Sequence, residues 1–476
     1  MTTVKKIARN NLFLFSGQVI SLALGLFYFA YMAGYLGAKN FGILNTAISL
    51  TLIIGLLGDL GLSSLMTREV SRNQSLAPKY LGNILLVKVL LAVVTFAVVV
   101  VVANTLGYSE QSIKVIYIIM LSTIATNFTQ VFTSIFQAFE RFEFQSFGVI
   151  LNSILMTVGI IFSVYQKLDL IYFALVYFIV NSIILLYSFF ICLRKLTFLD
   201  FNIDWAFLKQ IISESLPFWL NSVFVLIYFK IDMVMLSIIN GDIAVGLYSA
   251  PYRLIDALSF IPVVLMSTMY PVFSKFYVSS KESLEFAFKK SFKFLTIIAI
   301  PIGIGTTILA ERIILLIYRD VQYSPSAVAL QILIWASVLS FINYAPSTYF
   351  SSTNRQRALM IFTFIGAVLN ICLNFILIPR FSYNGAAIAT VCSELAVGIL
   401  MISNIHEVQN LSALLTGVIL KSLVAGAFMG LFLLIFHNFT LILLILFAAI
   451  IYFVVLYIVN GFEKEEINLF NQVFGR

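Results

Sequence analysis

The chain has 476 residues, 61% of them hydrophobic and only 11% charged, with a formal net charge of +8 and a mean hydropathy of +1.04. At about 20 residues per spanning helix, bilayer crossings use most of that length and leave no room for a catalytic domain on either side. The basic residues are scattered through turns instead of forming a contiguous patch, which argues against nucleic acid as a partner and for membrane topology as their explanation.

The first apolar run, from Asn11 to Tyr35, follows Lys5, Lys6 and Arg9. It is too long for a signal h-region and shows no small-residue cleavage site, so it reads as the first span. Hydropathy and turn punctuation predict an all-α integral membrane fold with about fourteen transmembrane helices, at roughly 11–36, 41–66, 80–104, 112–138, 144–165, 169–192, 215–239, 244–274, 288–309, 323–352, 357–378, 383–404, 413–436 and 438–460. Turns on the N-terminal side carry about nineteen of the 29 Lys and Arg residues and the opposite turns about six, which places both termini in the cytoplasm. Two cytoplasmic connections are longer than the rest. Residues 197–214 mix Phe207, Leu208, Ile211 and Ile212 with Asp200, Asp204, Lys209 and Glu214, a pattern suited to an interfacial helix, after which Pro217 fits the first turn of the seventh span. The basic run at 274–293 reads as a solvated, snorkelling turn or as a contact with anionic headgroups.

An internal repeat divides the spans. Gly37 and Gly42 bound a Gly-x-x-x-x-Gly turn between the first two spans, and Gly241 and Gly246 bound another between the seventh and eighth. Arg141 matches Arg355, and Asn181 falls opposite Glu394, at a similar offset. An even number of spans per repeat makes the halves parallel, with a central cavity expected between them. The predicted organisation is a first lobe at 1–196, an amphipathic cytoplasmic linker at 197–214, a second lobe at 215–410, and two further helices with a cytoplasmic tail at 411–476.

Charges inside spans need a reason, because each costs roughly 2.5–3.5 kcal/mol at a helix centre on insertion scales. Lys230, Asp232 and Arg253 lie about 14–18 Å from the turn at Gly241, near the midplane, and Arg253 shares a helix face with Asp256. The four form either a closed structural network or, with Lys230 facing a wet cavity, an anion site. Asp59 and Glu394 are candidates for ion coupling or for hydrogen bonds between helices. Lys88 has a path to the cavity, whereas Lys421 reads as snorkelling. Pro251, Pro262, Pro271 and Pro346 interrupt the eighth and tenth spans. Cys192, Cys372 and Cys392 read as packing residues, and with only His406 and His437 available neither a metal site nor a Ser-His-Asp arrangement is expected; no cofactor is implied.

Several short motifs, in this order, carry a resemblance. They are Tyr-Leu-Gly-x-x-x-Phe-Gly at Tyr35 to Gly42, Gly-Asp-Leu-Gly-Leu at Gly58 to Leu62 with Arg68 beyond, Ile231-Asp232, Val245 to Ala250, and Tyr270-Pro-Val-Phe. Together with the span count they resemble the polysaccharide-exporter (Wzx-type flippase) branch of the multidrug/oligosaccharidyl-lipid/polysaccharide superfamily, over essentially the whole chain. The resemblance implies two six-helix pseudo-repeat lobes around a central cavity plus two C-terminal helices, working by alternating access. It also implies a polyprenyl-diphosphate-linked oligosaccharide as the substrate, moved from the cytoplasmic to the outer leaflet of the cell membrane, with membrane lipids and polysaccharide-assembly enzymes as partners. Lys230 and Arg253, with Lys88, would then desolvate the diphosphate, and Asp232, Asp256, Glu394 and Asp59 would form a charge network or couple ions. The first span has no carboxylate, unlike cation-coupled drug exporters, and no arginine beyond Arg9, unlike peptidoglycan-precursor flippases. Competing readings are a drug or other lipid exporter of the same fold and a membrane glycosyltransferase or polymerase, for which the short outer turns provide few acids.

Overall fold

The computed structural model describes residues 3–200, 204–405, 408 and 411–462, with side chains described from residue 15 onward except at 221 and 411–415. His406 and the basic residues Lys464 and Arg476 lie outside the described residues, as do the side chains of Lys5, Lys6 and Arg9. The described chain is helical, and twelve of its helical stretches are long and apolar enough to cross a membrane. Two of the twelve are about double length, Phe15–Gly58 with 44 residues and Gln356–Ser403 with 48. Straight helices of that size would run about 65–70 Å, more than twice the hydrocarbon core. Both fold back instead. In α1 (Thr3–Gly55) the turn is at Gly37, with φ 67° and ψ 169°, and it brings the Phe29 and Phe41 rings to 4.8 Å. In α12 (Gln356–Ser403) the turn is at Ser382, with φ 51°, and it leaves a Cβ on Gly385 only 2.3 Å from the Leu377 oxygen. Counting both arms of each gives fourteen crossings, as composition predicted.

After α1 come α2 (Leu62–Arg72), α3 (Ala77–Thr105), α4 (Glu110–Ala138), α5 (Phe142–Tyr165), α6 (Leu170–Lys195) and α7 (Trp205–Asn240). The chain continues through α8 (Asp242–Leu258), α9 (Phe260–Ser279), α10 (Lys281–Tyr318) and α11 (Ser326–Ser352) to α12, and ends with α13 (Leu411–Ile435) and α14 (Leu441–Ile458). Two compact units divide the chain between Ser249 and Ala250, inside α8. In the first, Leu62, Met66, Phe132, Phe136, Leu208 and Ile211 form a core shared by α2, α4 and α7. In the second, α13 and α14 pack on α10 around Met429, Leu433 and Tyr452.

Three local readings change. Pro217 lies within α7, which starts at Trp205 behind an Asp204 cap, so the amphipathic stretch and the seventh span are one helix. The basic run is helical up to Ser279 and again from Lys281, with Ser280 capping α10 through a 3.2 Å bond from the Ser283 N–H. Charged residues mark where an apolar surface ends, but a helix goes on satisfying its own backbone groups in water. In the eighth span the break is at Ser259. Pro251 and Pro271 sit inside α8 and α9, and Pro262 occupies the first turn of α9, where its missing N–H leaves no helical bond unmade.

The repeat is written into the backbone. Gly37 and Gly241 share an unusual conformation, the latter with φ 80° and ψ −178°. Residues at positive φ recur at matching turns, Gly107 with Arg319, Glu140 with Asn354 and Lys167 with Ser382. After Glu140 the Arg141 N–H donates to the Phe136 oxygen at 2.8 Å, and after Asn354 the Arg355 N–H donates to the Phe350 oxygen at 3.0 Å. The second glycines of the two turns meet each other's hairpins. A Cβ on Gly42 would lie 1.8 Å from the Asp242 oxygen, and one on Gly246 would lie 1.9 Å from the Ala38 oxygen. Position 42 corresponds to 246 and 38 to 242, so this is a reciprocal contact between related elements.

Candidate functional site

The second span stops being an α-helix near its end. Beyond Gly55 it makes one 3-10 turn, Leu56–Gly58, followed by Asp59 and then Leu60 and Gly61 at φ 47° and 76° before α2 begins. Three glycines in seven residues weaken the helix here. They also let neighbouring helices close in, since a Cβ on Gly58 would lie 2.5 Å from the Asn127 amide nitrogen and one on Gly61 would lie 2.5 Å from the Ser215 oxygen. A helix break frees carbonyls that must find other partners. Side chains satisfy them here. Asn127 of α4 donates to the Gly55 oxygen at 2.9 Å and Trp219 of α7 donates its indole N–H to the Leu56 oxygen at 3.0 Å.

Asp59 stands on this break. Lys88 of α3, 1% exposed, donates to its Oδ1 at 2.5 Å, to the Asn127 carbonyl at 2.6 Å and to the Ser63 hydroxyl at 3.3 Å. The Ser63 hydroxyl donates to the same carboxylate. An ammonium has three hydrogens, and each has an acceptor. Asp59 lines a cavity of about 500 Å³ between α2, α4 and α7, whereas Lys88 lies behind it. Besides Leu52, Gly55, Leu56 and Gly61, the rest of the described wall is polar but uncharged. Thr123, Asn127, Gln130, Ser134 and Gln137 of α4 line it from one side, at spacings of four and three that set them on one helical face. Ser63, Ser64 and Thr67 of α2 and Trp219 and Ser222 of α7 complete it. A second cavity of about 220 Å³ lies within the bundle of α1, α4, α5 and α6. There Asn152 donates to Asn181 at 3.0 Å, and Asn181 to Ser122 at 2.7 Å.

The other intramembrane charges fall in both units. In the first, Lys230 is half-buried and Asp232 is 2% exposed. One Asp232 oxygen accepts the Met233 N–H at 2.8 Å and the other accepts the Tyr248 hydroxyl. In the second, Arg253 is half-buried and Asp256 exposed. The Tyr318 hydroxyl donates to the Ala250 oxygen at 2.7 Å. Glu394 is 7% exposed, and the Asn343 amide donates both to its side chain and to its carbonyl at 3.0 Å. Lys421 donates to the Asn460 oxygen at 2.9 Å.

Sequence reading gave Asp59 to ion coupling or an interhelical hydrogen bond and Lys88 to the cavity; the structure pairs the two, and Lys88 is not among the described lining residues. Sequence reading missed the α4 face, Trp219 and Tyr248, although the polar stripe on α4 was visible as a run at helical spacing in an otherwise apolar span.

The family model for polysaccharide biosynthesis proteins matches residues 7–277, and the MatE model matches residues 217–376. The chain is 22% identical over 395 residues to the probable low-salt glycan biosynthesis flippase Agl15 of Haloferax volcanii, covering 81% of each protein. It is 26% identical over 163 residues to the uncharacterized membrane protein MJ1068 of Methanocaldococcus jannaschii, a match spanning 34% of this chain and 32% of that relative. Among solved structures, the lipid II flippase MurJ in an inward closed conformation superposes with a TM-score of 0.77 at 16% identity, covering 98% of this chain and 100% of that one. An inward-facing multidrug resistance MATE family transporter of the MOP superfamily superposes with a TM-score of 0.62 at 18% identity, over 86% of this chain and 96% of that one. The chain is a multi-pass membrane protein that belongs to the polysaccharide biosynthesis protein family, with the fold of the MOP superfamily.

Proposed function

We propose that this protein is a transporter and not an enzyme: a flippase that moves polyprenyl-diphosphate-linked oligosaccharide or polysaccharide repeat units from the cytoplasmic to the outer leaflet by alternating access. The observation that carries the reading is a polar cavity of about 500 Å³ at a break in the second span, with Asp59 as the one charged residue of its described lining, in a chain whose family model covers residues 7–277. A polar wall of this size in a chain otherwise built of apolar helices suits a polar cargo. The likeness to a glycan biosynthesis flippase along 81% of the chain supports the same class of cargo. The positive-inside bias supports cytoplasmic termini, and a cell-membrane location follows from the proposed substrate. Lys230 and Arg253 remain candidates for the diphosphate, with Asp232, Asp256 and Glu394 as the surrounding charge network. Lys88 and Asp59 enter this reading as a self-neutralised pair beside the cavity.

Leaflet-resolved labelling of the lipid-linked glycan in cells lacking the protein tests it. Accumulation on the cytoplasmic face is expected. Normal leaflet distribution with shortened polymer would point to an enzyme, and normal polymer with altered drug tolerance to an exporter of the same fold.

A further inference from the structure

The cavity at the helix break is rich in hydrogen-bond acceptors and has no cation among its described lining residues. Of its eleven uncharged polar side chains, nine direct a hydrogen at the protein itself. The Thr133, Ser134 and Ser222 hydroxyls, for example, donate to backbone carbonyls of their own helices at 3.1, 2.9 and 3.0 Å. The Gln137 amide donates to Gln145 at 3.2 Å. A hydroxyl has one hydrogen and two lone pairs, so a hydroxyl that gives its hydrogen to the helix offers a ligand only acceptors, while the carboxamides of Asn127, Gln130 and Gln137 keep N–H donors beside them. No Lys or Arg is among the described lining residues, and the one carboxylate, Asp59, adds two further acceptor oxygens.

Such a wall discriminates between the two ends of a lipid-linked glycan head. Phosphate oxygens are strong acceptors carrying negative charge, so here they would meet hydroxyl lone pairs and the Asp59 carboxylate with no lining cation to offset the repulsion. Sugar hydroxyls bring a hydrogen each, and the wall can accept them. The volume, about 500 Å³, lies within the usual range of ligand pockets, and the Trp219 ring supplies an amphipathic flank. We infer that the α2–α4–α7 cavity is the saccharide subsite: it binds the uncharged sugar portion of the cargo by accepting hydrogen bonds from its hydroxyls, and it excludes the diphosphate. This rests on the flippase reading and adds to it a division of the headgroup by chemistry.

The test measures binding to the full chain in nanodiscs by native mass spectrometry. The two probes are the polyprenyl-diphosphate-linked glycan extracted from the host membrane and undecaprenyl diphosphate without sugar. The wild type is expected to prefer the glycan-bearing lipid by about tenfold or more, the equivalent of one to two hydrogen bonds. In Thr133→Val/Ser134→Ala that preference is expected to disappear, with affinity for the bare lipid unchanged and the thermal midpoint within a few degrees of wild type. Ser134→Thr, which keeps the hydroxyl, should retain the preference, and Ser134→Ala alone should lower it severalfold if the double variant does not fold. An equal loss for both lipids, or an undiminished preference in the variants, overturns the saccharide subsite. Failure of the wild type to hold either lipid above a neutral phospholipid overturns the flippase reading itself.

Discussion

Lys88 and Asp59 show how a charge that is costly in lipid becomes structural. The ammonium is 1% exposed and bonded to a carboxylate, a carbonyl and a hydroxyl, so it holds α3 and α4 to the broken segment of the second span. Removing one partner leaves the other buried without compensation. Lys88→Met is expected to destabilise the protein by about 3–5 kcal/mol, read as a lower thermal midpoint in nanodiscs. Adding Asp59→Asn should recover most of that loss, because the uncompensated charge goes with it; no recovery would show that the ammonium does more than balance Asp59. Both residues were recognisable in sequence as intramembrane charges on the cytoplasmic side. Their pairing was not, because the two lie 29 positions apart on different helices, and only the unwound stretch at Leu60 and Gly61 aims the carboxylate at α3. Asp232 is similar. Sequence depth set it level with Arg253, while the hydroxyl that reaches it belongs to Tyr248, sixteen positions along.

At the scale of elements, packing distances separate glycines that are required from those that are not. Gly42 and Gly246 bring two hairpins so close that a methyl group would overlap backbone oxygens at 1.8 and 1.9 Å, and a backbone cannot swing aside as a side chain can. Gly42→Ala or Gly246→Ala is expected to cost about 3 kcal/mol or more and to lower the yield of folded protein in size-exclusion profiles. Gly417→Ala in α13, with nothing within 4 Å, should be neutral or stabilising by up to about 1 kcal/mol. The N-terminus of α7 gives a pH prediction. The Phe207 backbone N–H and then Lys79, at 3.0 and 2.9 Å from Asp204, hold the Asp204 carboxyl below the ordinary carboxylate range. Its contribution is therefore complete above the ordinary aspartate pKa, near 4, and disappears as pH falls through the lower folded value. Hydrogen exchange at 205–210 should speed up over that acid window and be fast at all pH values in Asp204→Ala; an unchanged profile would mean the cap does not hold the helix end. The two helical extensions, at the start of α7 and around Ser280, escaped sequence reading because hydropathy reports where lipid ends and not where a helix ends.

For the whole molecule, the candidate anion residues belong to both units, Lys230 to the first and Arg253 to the second. Lys230→Ala and Arg253→Ala are each expected to abolish glycan export while protein level stays normal, measured by surface-glycan labelling beside an immunoblot. If neutralising Asp232 restores export to Arg253→Ala, the charges serve structure and not cargo. Composition determined that the protein lives in lipid, and hydropathy with turn punctuation gave about fourteen crossings, since no other solvent accepts so many apolar runs of that length. Spacing alone determined the repeat, because matched turns need matched residues: Gly37 and Gly241 share one backbone conformation, and Arg141 and Arg355 follow the same turn. The tertiary structure decided which polar residues face one another. The stripe from Thr123 to Gln137 was present in the sequence as a pattern, but a helical face becomes a cavity only when other elements stand off from it. The glycine-rich break at Asp59, capped by Asn127 and Trp219, creates that space through contacts that one-dimensional spacing does not contain.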